Sequence, residues 1–362
     1  MTLRLLIFFV MLPFKLYADN TALRQLYNRP PAAWPAANLA PTVLQAELTP
    51  LPVIPPPATA DARQKYALGE KLFHDPILSE DRTTSCASCH EPRLLFADSR
   101  RTAIGVHQQQ GNRNTPAIYH IALWDSFFWD GRASTAEQQA TEPIENPLEM
   151  NLPIAEALAR LNQHPEYPAL FKGAFNQPVI DQVQLAKALV AFQSQITVPR
   201  TTFDRFLEAA YSPLADHKSD ITAELTDQQL KGLHLFRTKA RCINCHSGPL
   251  LSDNQFHVTG LHFFGRRLED LGRYEFTKDP ADSGKFRTPA LRAVFHTGPW
   301  MHNGLFTQFE GIVAFYNAGG ARVKPRQEQA DDPRFPTISP LLQRLELTKD
   351  EMAALTEFLK IL

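Results

Sequence analysis

All four cysteines of this 362-residue chain stand in two pentapeptides, Cys86-Ala-Ser-Cys89-His90 and Cys242-Ile-Asn-Cys245-His246. In C-x-x-C-H the two thiols add across the vinyl groups of one porphyrin, and the imidazole that follows reaches its iron. A zinc site or two disulfides would also use four cysteines, but neither gives a histidine a reason to follow each pair. The spacing therefore predicts two covalently bound c-type haems. Cys86, Cys89 and His90 would hold one, Cys242, Cys245 and His246 the other, with each histidine on an iron.

The N-terminus bears on compartment. Arg4 precedes an apolar run from Leu5 to Pro13, and Leu16-Tyr17-Ala18 closes it on a small residue, the pattern of a secretory signal peptide over 1–18. An uncleaved membrane anchor is the alternative, although the run is short for spanning a bilayer. Export would place the chain in the bacterial periplasm, where c-type haem is attached. A net charge of -1 supplies no basic footprint for nucleic acid. Proline crowds the segment from Pro30 to Pro57, so 19–60 is expected to run as an extended arm over a neighbouring surface.

The chain also repeats itself. Gly69-Glu70-Lys71-Leu72-Phe73 precedes the first haem motif and Gly232-Leu233-His234-Leu235-Phe236 the second. Downstream, Arg113-Asn114-Thr115-Pro116 leads to Phe128-Trp129-Asp130-Gly131, and Arg287-Thr288-Pro289 leads to Pro299-Trp300-Met301-His302-Asn303-Gly304. Helical apolar spacing marks 61–73, 154–163, 181–195, 226–236, 309–316 and 348–361, with Thr226 and Thr348 as N-caps. The expected architecture is mainly α, with little β structure and long loops. Two cytochrome-c-like haem domains stand in tandem, 61–200 and 201–362, with a border near Pro199 to Ser219.

The run Arg113-Asn114-Thr115-Pro116, then Phe128-Trp129-Asp130-Gly131-Arg132-Ala133, then Glu137-Gln138-Gln139 with Pro143 and Glu149-Met150 resembles the bacterial diheme cytochrome c peroxidases and their MauG-type relatives. With both haem motifs and the segment from Pro299 to Tyr316, the resemblance covers most of the chain. It implies an oxidoreductase in which hydrogen peroxide is reduced at the N-terminal haem. Electrons would arrive through the C-terminal haem from a small periplasmic donor such as a cytochrome c or a cupredoxin.

The resemblance also assigns residues. Gln139, Pro143 and Glu149 match the distal pocket of the peroxidatic haem, where a carboxylate can take a proton from one peroxide oxygen and return it to the other. Trp129 matches a tryptophan lying between the haems. Asn114, Thr297 and Pro299 match an interdomain calcium site, whose oxygen-only ligation suits that ion. Tyr316 stands fourteen residues after His302, where the MauG-type members place an axial tyrosine on the second iron and other members a methionine. Met301 is the alternative ligand.

His107 lies one residue from the place where members needing reductive activation carry a distal histidine, and as a second iron ligand it would close the first site. Family members commonly pair as homodimers, and MauG-type members oxidise a side chain of a protein substrate. The tryptophan used for that step is replaced here by Lys239-Ala240-Arg241. A non-catalytic diheme electron carrier is the reading from a different class.

Overall fold

A computed structural model describes residues 20–43, 47–177, 179–212 and 220–362. The expected signal peptide, 1–18, and the 213–219 part of the expected border lie outside them. Among the described residues the chain forms twelve α-helices. These are α1 (Asn20–Tyr27), α2 (Ala60–His74), α3 (Cys86–Cys89), α4 (Ala136–Glu145), α5 (Ile154–Gln163) and α6 (Tyr167–Phe175), followed by α7 (Gln182–Gln193), α8 (Thr202–Tyr211), α9 (Asp227–Arg237), α10 (Tyr274–Thr277), α11 (Phe309–Asn317) and α12 (Lys349–Leu359). One short antiparallel pair, β1 (Phe256–His257) and β2 (Phe286–Arg287), is the strand content of those residues.

Local chemistry explains where the principal helices begin. Thr226 and Thr348 each accept a bond from the backbone of the third helical residue, while Gln229 and Glu351 reach back to the cap, forming reciprocal capping boxes. Thr59 and Thr135 cap α2 and α4 in the same way from one side. The helix α4 is absent from the sequence reading because Pro143 stands inside it. A proline there removes the bond to the carbonyl four residues back, that of Gln139, yet the helix persists to Glu145.

The repeated Gly-x-x-Leu-Phe motif has a packing reason. A Cβ added to Gly69 on α2 would lie 1.9 Å from the carbonyl oxygen of Ala188 on α7, and one added to Gly232 on α9 would lie 2.2 Å from that of Ala354 on α12. In each half, then, the helix leading to a haem motif crosses its partner backbone to backbone. Because a methyl group has nowhere to go, Gly232→Ala should cost about 1–3 kcal/mol by overpacking. Denaturant unfolding of the holoprotein would read this, and an unchanged midpoint would mean that the crossing relaxes freely.

Two apolar cores follow from these crossings. Leu72, Ile144, Leu161, Phe171 and Leu189 join α2 to α4–α7, while Phe203, Phe206, Leu233, Phe236 and Phe358 join α8, α9 and α12. The second core also takes Leu23 and Tyr27 of α1 with Trp34 and Leu48 of the proline-rich arm. The arm is held there by polar contacts as well: Ala40 N–H donates to Asn244 Oδ1 at 2.6 Å, and Gly248 N–H donates to the Glu47 carbonyl at 2.7 Å. Arg237 donates to the Pro35 carbonyl and pairs with Glu47. The N-terminal segment thus wraps the second haem motif, although the first is nearer in sequence. A third cluster, with Phe73, Tyr119, Phe192, Ile196 and Leu250, lies at the seam between the halves.

Candidate active site

Each C-x-x-C-H motif occupies a single helical turn. Cys86–Cys89 forms α3, and His90 N–H closes the turn on the Cys86 carbonyl at 2.9 Å; Cys242–Asn244 forms a 3-10 turn closed by His246 N–H on the Cys242 carbonyl at 2.9 Å. Positions i, i+3 and i+4 of such a turn share one face, so two thiols and one imidazole converge in each half. His90 Nδ1 lies 3.1 Å from the Phe96 carbonyl and His246 Nδ1 lies 2.9 Å from the Leu251 carbonyl. A carbonyl can only accept, so the proton sits on Nδ1 in both rings and Nε2 is left as the metal-binding nitrogen.

The surroundings suit haem. A cavity of about 940 Å³ opens beside the first motif, walled by Cys86, Cys89, His90, Trp129, Gln139 and Glu149 among others. Burial pushes the thiols of Cys86 and Cys242 up to about 12 and that of Cys89 up to about 11. A thioether carries no charge to bury, so attachment to haem suits thiols held neutral in these positions.

The distal-pocket candidates come from one segment. Gln139 and Pro143 stand one turn apart on α4 and both reach the cavity. After α4 the chain folds back through Asn146, whose side-chain amide donates to Glu149 Oε1 at 2.7 Å. Burial raises the pKa of Glu149 above the usual carboxylate range, with the Arg132 guanidinium and the Asn146 amide opposing. Arg132 itself pairs with Glu142 at 2.9 Å and Asp130 at 3.1 Å and lies 3.4 Å over the Phe128 ring. In the sequence Arg132 stands out only as part of the family-like run and Asn146 not at all, because their part depends on which carboxylate they face.

Trp129 sits between this cavity and the other half of the chain. Its indole N–H donates to the Asn114 carbonyl at 2.8 Å, its own carbonyl accepts from Arg287 N–H at 2.8 Å, and its ring meets His302 edge-on at 6.3 Å. His302 is buried, stacked 3.5 Å from Phe286. Met301 lies beside it in a turn, at φ 69°. Tyr316 is on α11, where burial raises its hydroxyl pKa and the thiols of Cys245 and Cys242 add to the rise. Its oxygen therefore lies in the neighbourhood of the second haem motif.

Asn114 donates through Nδ2 to the Arg100 carbonyl at 2.9 Å, and its backbone N–H donates to His302 O at 2.7 Å. Its Oδ1 accepts no hydrogen bond among the described residues. No direct hydrogen bond among those residues joins it to Thr297 or Pro299, which lie just before the same turn. His107 is absent from the cavity wall: it is 52 % exposed, with Nε2 3.1 Å from Glu80 Oε2 and Nδ1 4.0 Å from Asp81.

Known proteins are similar to this chain in sequence and fold. Residues 63–212 match the family model described as di-haem cytochrome c peroxidase. The chain is 34% identical to the cytochrome-c peroxidase IdrP1 of Denitromonas iodatirespirans, over 87% of this chain and 86% of that protein. It is 33% identical to the methylamine utilization protein MauG of Methylorubrum extorquens, over 85% of this chain and 80% of that one. A crystal structure of a MauG-like protein associated with microbial copper homeostasis superposes with a TM-score of 0.71 at 29% identity, covering 89% of this chain and 94% of that chain. Two haem-binding turns on tandem helical halves, with these relatives, place the chain in the di-haem cytochrome c peroxidase and MauG family.

Proposed function

We propose that this chain is an exported bacterial peroxidase that reduces hydrogen peroxide to water at the His90 site. Electrons would be delivered through the His246 site from a small donor such as a cytochrome c or a cupredoxin. The observation that carries the reading is Glu149, a half-buried carboxylate with a raised pKa on the wall of the cavity that His90 also lines. Haem iron at His90 would supply the redox chemistry that divides the O–O bond. The protein's own part is proton management: Glu149 takes the proton from the near oxygen and returns it to the departing one. With two electrons and two protons in, one peroxide gives two waters. Gln139 offers an amide to the peroxide, and Pro143, lacking an N–H, shapes the wall.

Trp129 supports electron entry, since it touches the first cavity and the turn of the second half at once. Together with His246, Tyr316 would hold the second haem iron through a hard oxygen donor that favours the ferric state, with Met301 as the alternative. Asn114 Oδ1 and the carbonyls of Thr297 and Pro299 are the proposed calcium donors. The periplasm is the proposed compartment. Among the described residues no helix is long and apolar enough to cross a membrane.

A second reading, peroxide-dependent oxidation of a partner-protein side chain, is favoured by Tyr316. The surface before the second motif speaks for the first reading: Lys239 is engaged by Glu351 at 2.7 Å and Ala240 is buried, so no aromatic side chain is presented there.

Electron paramagnetic resonance of the ferric holoprotein, with and without peroxide, tests the proposal. With His107 turned to Glu80 and Asp81, a high-spin ferric signal is expected from the His90 haem and should be lost on adding peroxide. Spectra unchanged by peroxide in both ferric and half-reduced protein would leave only an electron carrier. Peroxide consumption without oxidation of a reduced cytochrome c or cupredoxin would favour the protein-oxidising reading.

A further inference from the structure

The two Arg-Thr-Pro-like repeats begin with arginines that line the same cavity but live in opposite electrostatic circumstances. Arg113 is saturated with carboxylates: Asp130 at 2.6 Å, Asp270 at 2.7 Å and Glu275 at 3.3 Å. Arg287 has none. It is 8% exposed, its Nε donates to the Phe128 carbonyl at 3.2 Å, and its guanidinium lies 3.7 Å over the Trp124 ring. Its Nη1 is buried with no hydrogen-bond partner. A buried guanidinium without an anion is an uncompensated charge that a fold does not keep without a reason. Burial accordingly depresses its pKa to about 10.

The reason lies in what the cavity would contain. A c-type haem carries two carboxylates that remain free after both vinyl groups are used. Planar, bidentate recognition of carboxylate is the chemistry at which arginine excels. The residue is held rigidly: Arg287 pairs with Phe256 across the β1–β2 ladder, and its N–H is bonded to Trp129 O. We propose that Arg287 binds a propionate carboxylate of the haem held by Cys86, Cys89 and His90, so that a residue of the C-terminal half completes the cofactor site of the N-terminal half. The same residue then anchors Trp129 and the cofactor edge together. This rests on the His90 haem filling the cavity, and protein isolated without covalent haem at Cys86 and Cys89 would overturn that assignment before any variant is made.

Arg287→Gln and Arg287→Lys, prepared as diheme proteins, test the inference by separate potentiometric titration of the two haems and by the propionate bending bands in resonance Raman spectra. Removing a positive charge beside the cofactor favours ferric iron. Arg287→Gln should therefore shift the His90 haem to lower potential and leave the His246 haem in place, while Arg287→Lys recovers most of the shift. In Arg287→Lys, which keeps the charge if the glutamine variant does not fold, the propionate bands should still move because the bidentate fork is lost. Unmoved bands and potentials with both haems bound would overturn the proposal. A change confined to the His246 haem would overturn the assignment to the first cofactor and give the carboxylate to the second.

Discussion

Glu149→Gln is expected to slow peroxide turnover by about 10²–10⁴-fold, the usual worth of a positioned acid–base group, with both haems still attached. Glutamine keeps the shape and can still bond Asn146, which holds the carboxylate at 2.7 Å, so the loss isolates the proton. The pH profile adds a second signature. Glu149 must be ionised to accept the first proton, and burial raises its pKa. The protonated form therefore persists to higher pH than for an ordinary carboxyl, and the rate should fall as pH drops through an apparent value above that of an ordinary glutamate. That limb should disappear in Glu149→Gln. It should move to higher pH in Arg132→Met, because Arg132 is the charge that opposes the rise. Stopped-flow rates of the ferric protein with peroxide across pH would show both; unchanged turnover in Glu149→Gln removes this residue from the mechanism.

Asp204→Ala should destabilise the fold by about 3–5 kcal/mol, the cost of leaving a buried charge unpaired. Arg292 is fully buried, and its Nη1 meets Asp204 Oδ1 at 2.7 Å. The same guanidinium donates to the carbonyls of Pro249 at 2.8 Å and Thr49 at 3.0 Å. One residue therefore ties α8, the proline-rich arm and the loop after His246, and Asp204 neutralises it. Asp204→Asn can keep its oxygen on the Thr201 groups that start α8 but then turns an amide N–H toward Arg292, losing the charge and the acceptor that Arg292 uses, which separates the ion pair from the cap. Denaturant unfolding of the ferric holoprotein reads both variants, and a loss below about 1 kcal/mol in each would show that water or a rearrangement compensates Arg292.

Much of this molecule is legible in its primary structure, for local reasons. A C-x-x-C-H turn needs only five consecutive residues to bring two thiols and an imidazole onto one face. The bounds of α5, α9, α11 and α12 follow from apolar periodicity with Thr226 and Thr348 as caps, which are interactions within one turn. The repeat that Gly69 and Gly232 open is also visible in sequence, although its reason, a close helix crossing, appears only in the structure. By contrast, α4 was hidden by Pro143, whose local cost is outweighed by packing of Ala140 and Ile144 into the first core.

The contrast between Arg113 and Arg287 marks the limit. Both open the same motif, and nothing within either motif says that one will meet three carboxylates and the other none, since Asp270 and Glu275 reach Arg113 from more than 150 residues away. The arm is a second case: its prolines predict extended chain but not that Leu48 and Trp34 bury against α8 and α9. His107 is a third, because a loop histidine can face iron or water and only the position of Glu80 and Asp81 turns it outward.

By itself, then, the sequence determined the two haem-binding turns, the helices that lead to them and the family they belong to, since each depends on contacts within a few residues. The tertiary structure decided which carboxylates are buried, which arginine is left without one, and which half the arm completes. Those outcomes depend on desolvation and charge pairing between segments far apart in the chain, and burial is a property of the folded whole.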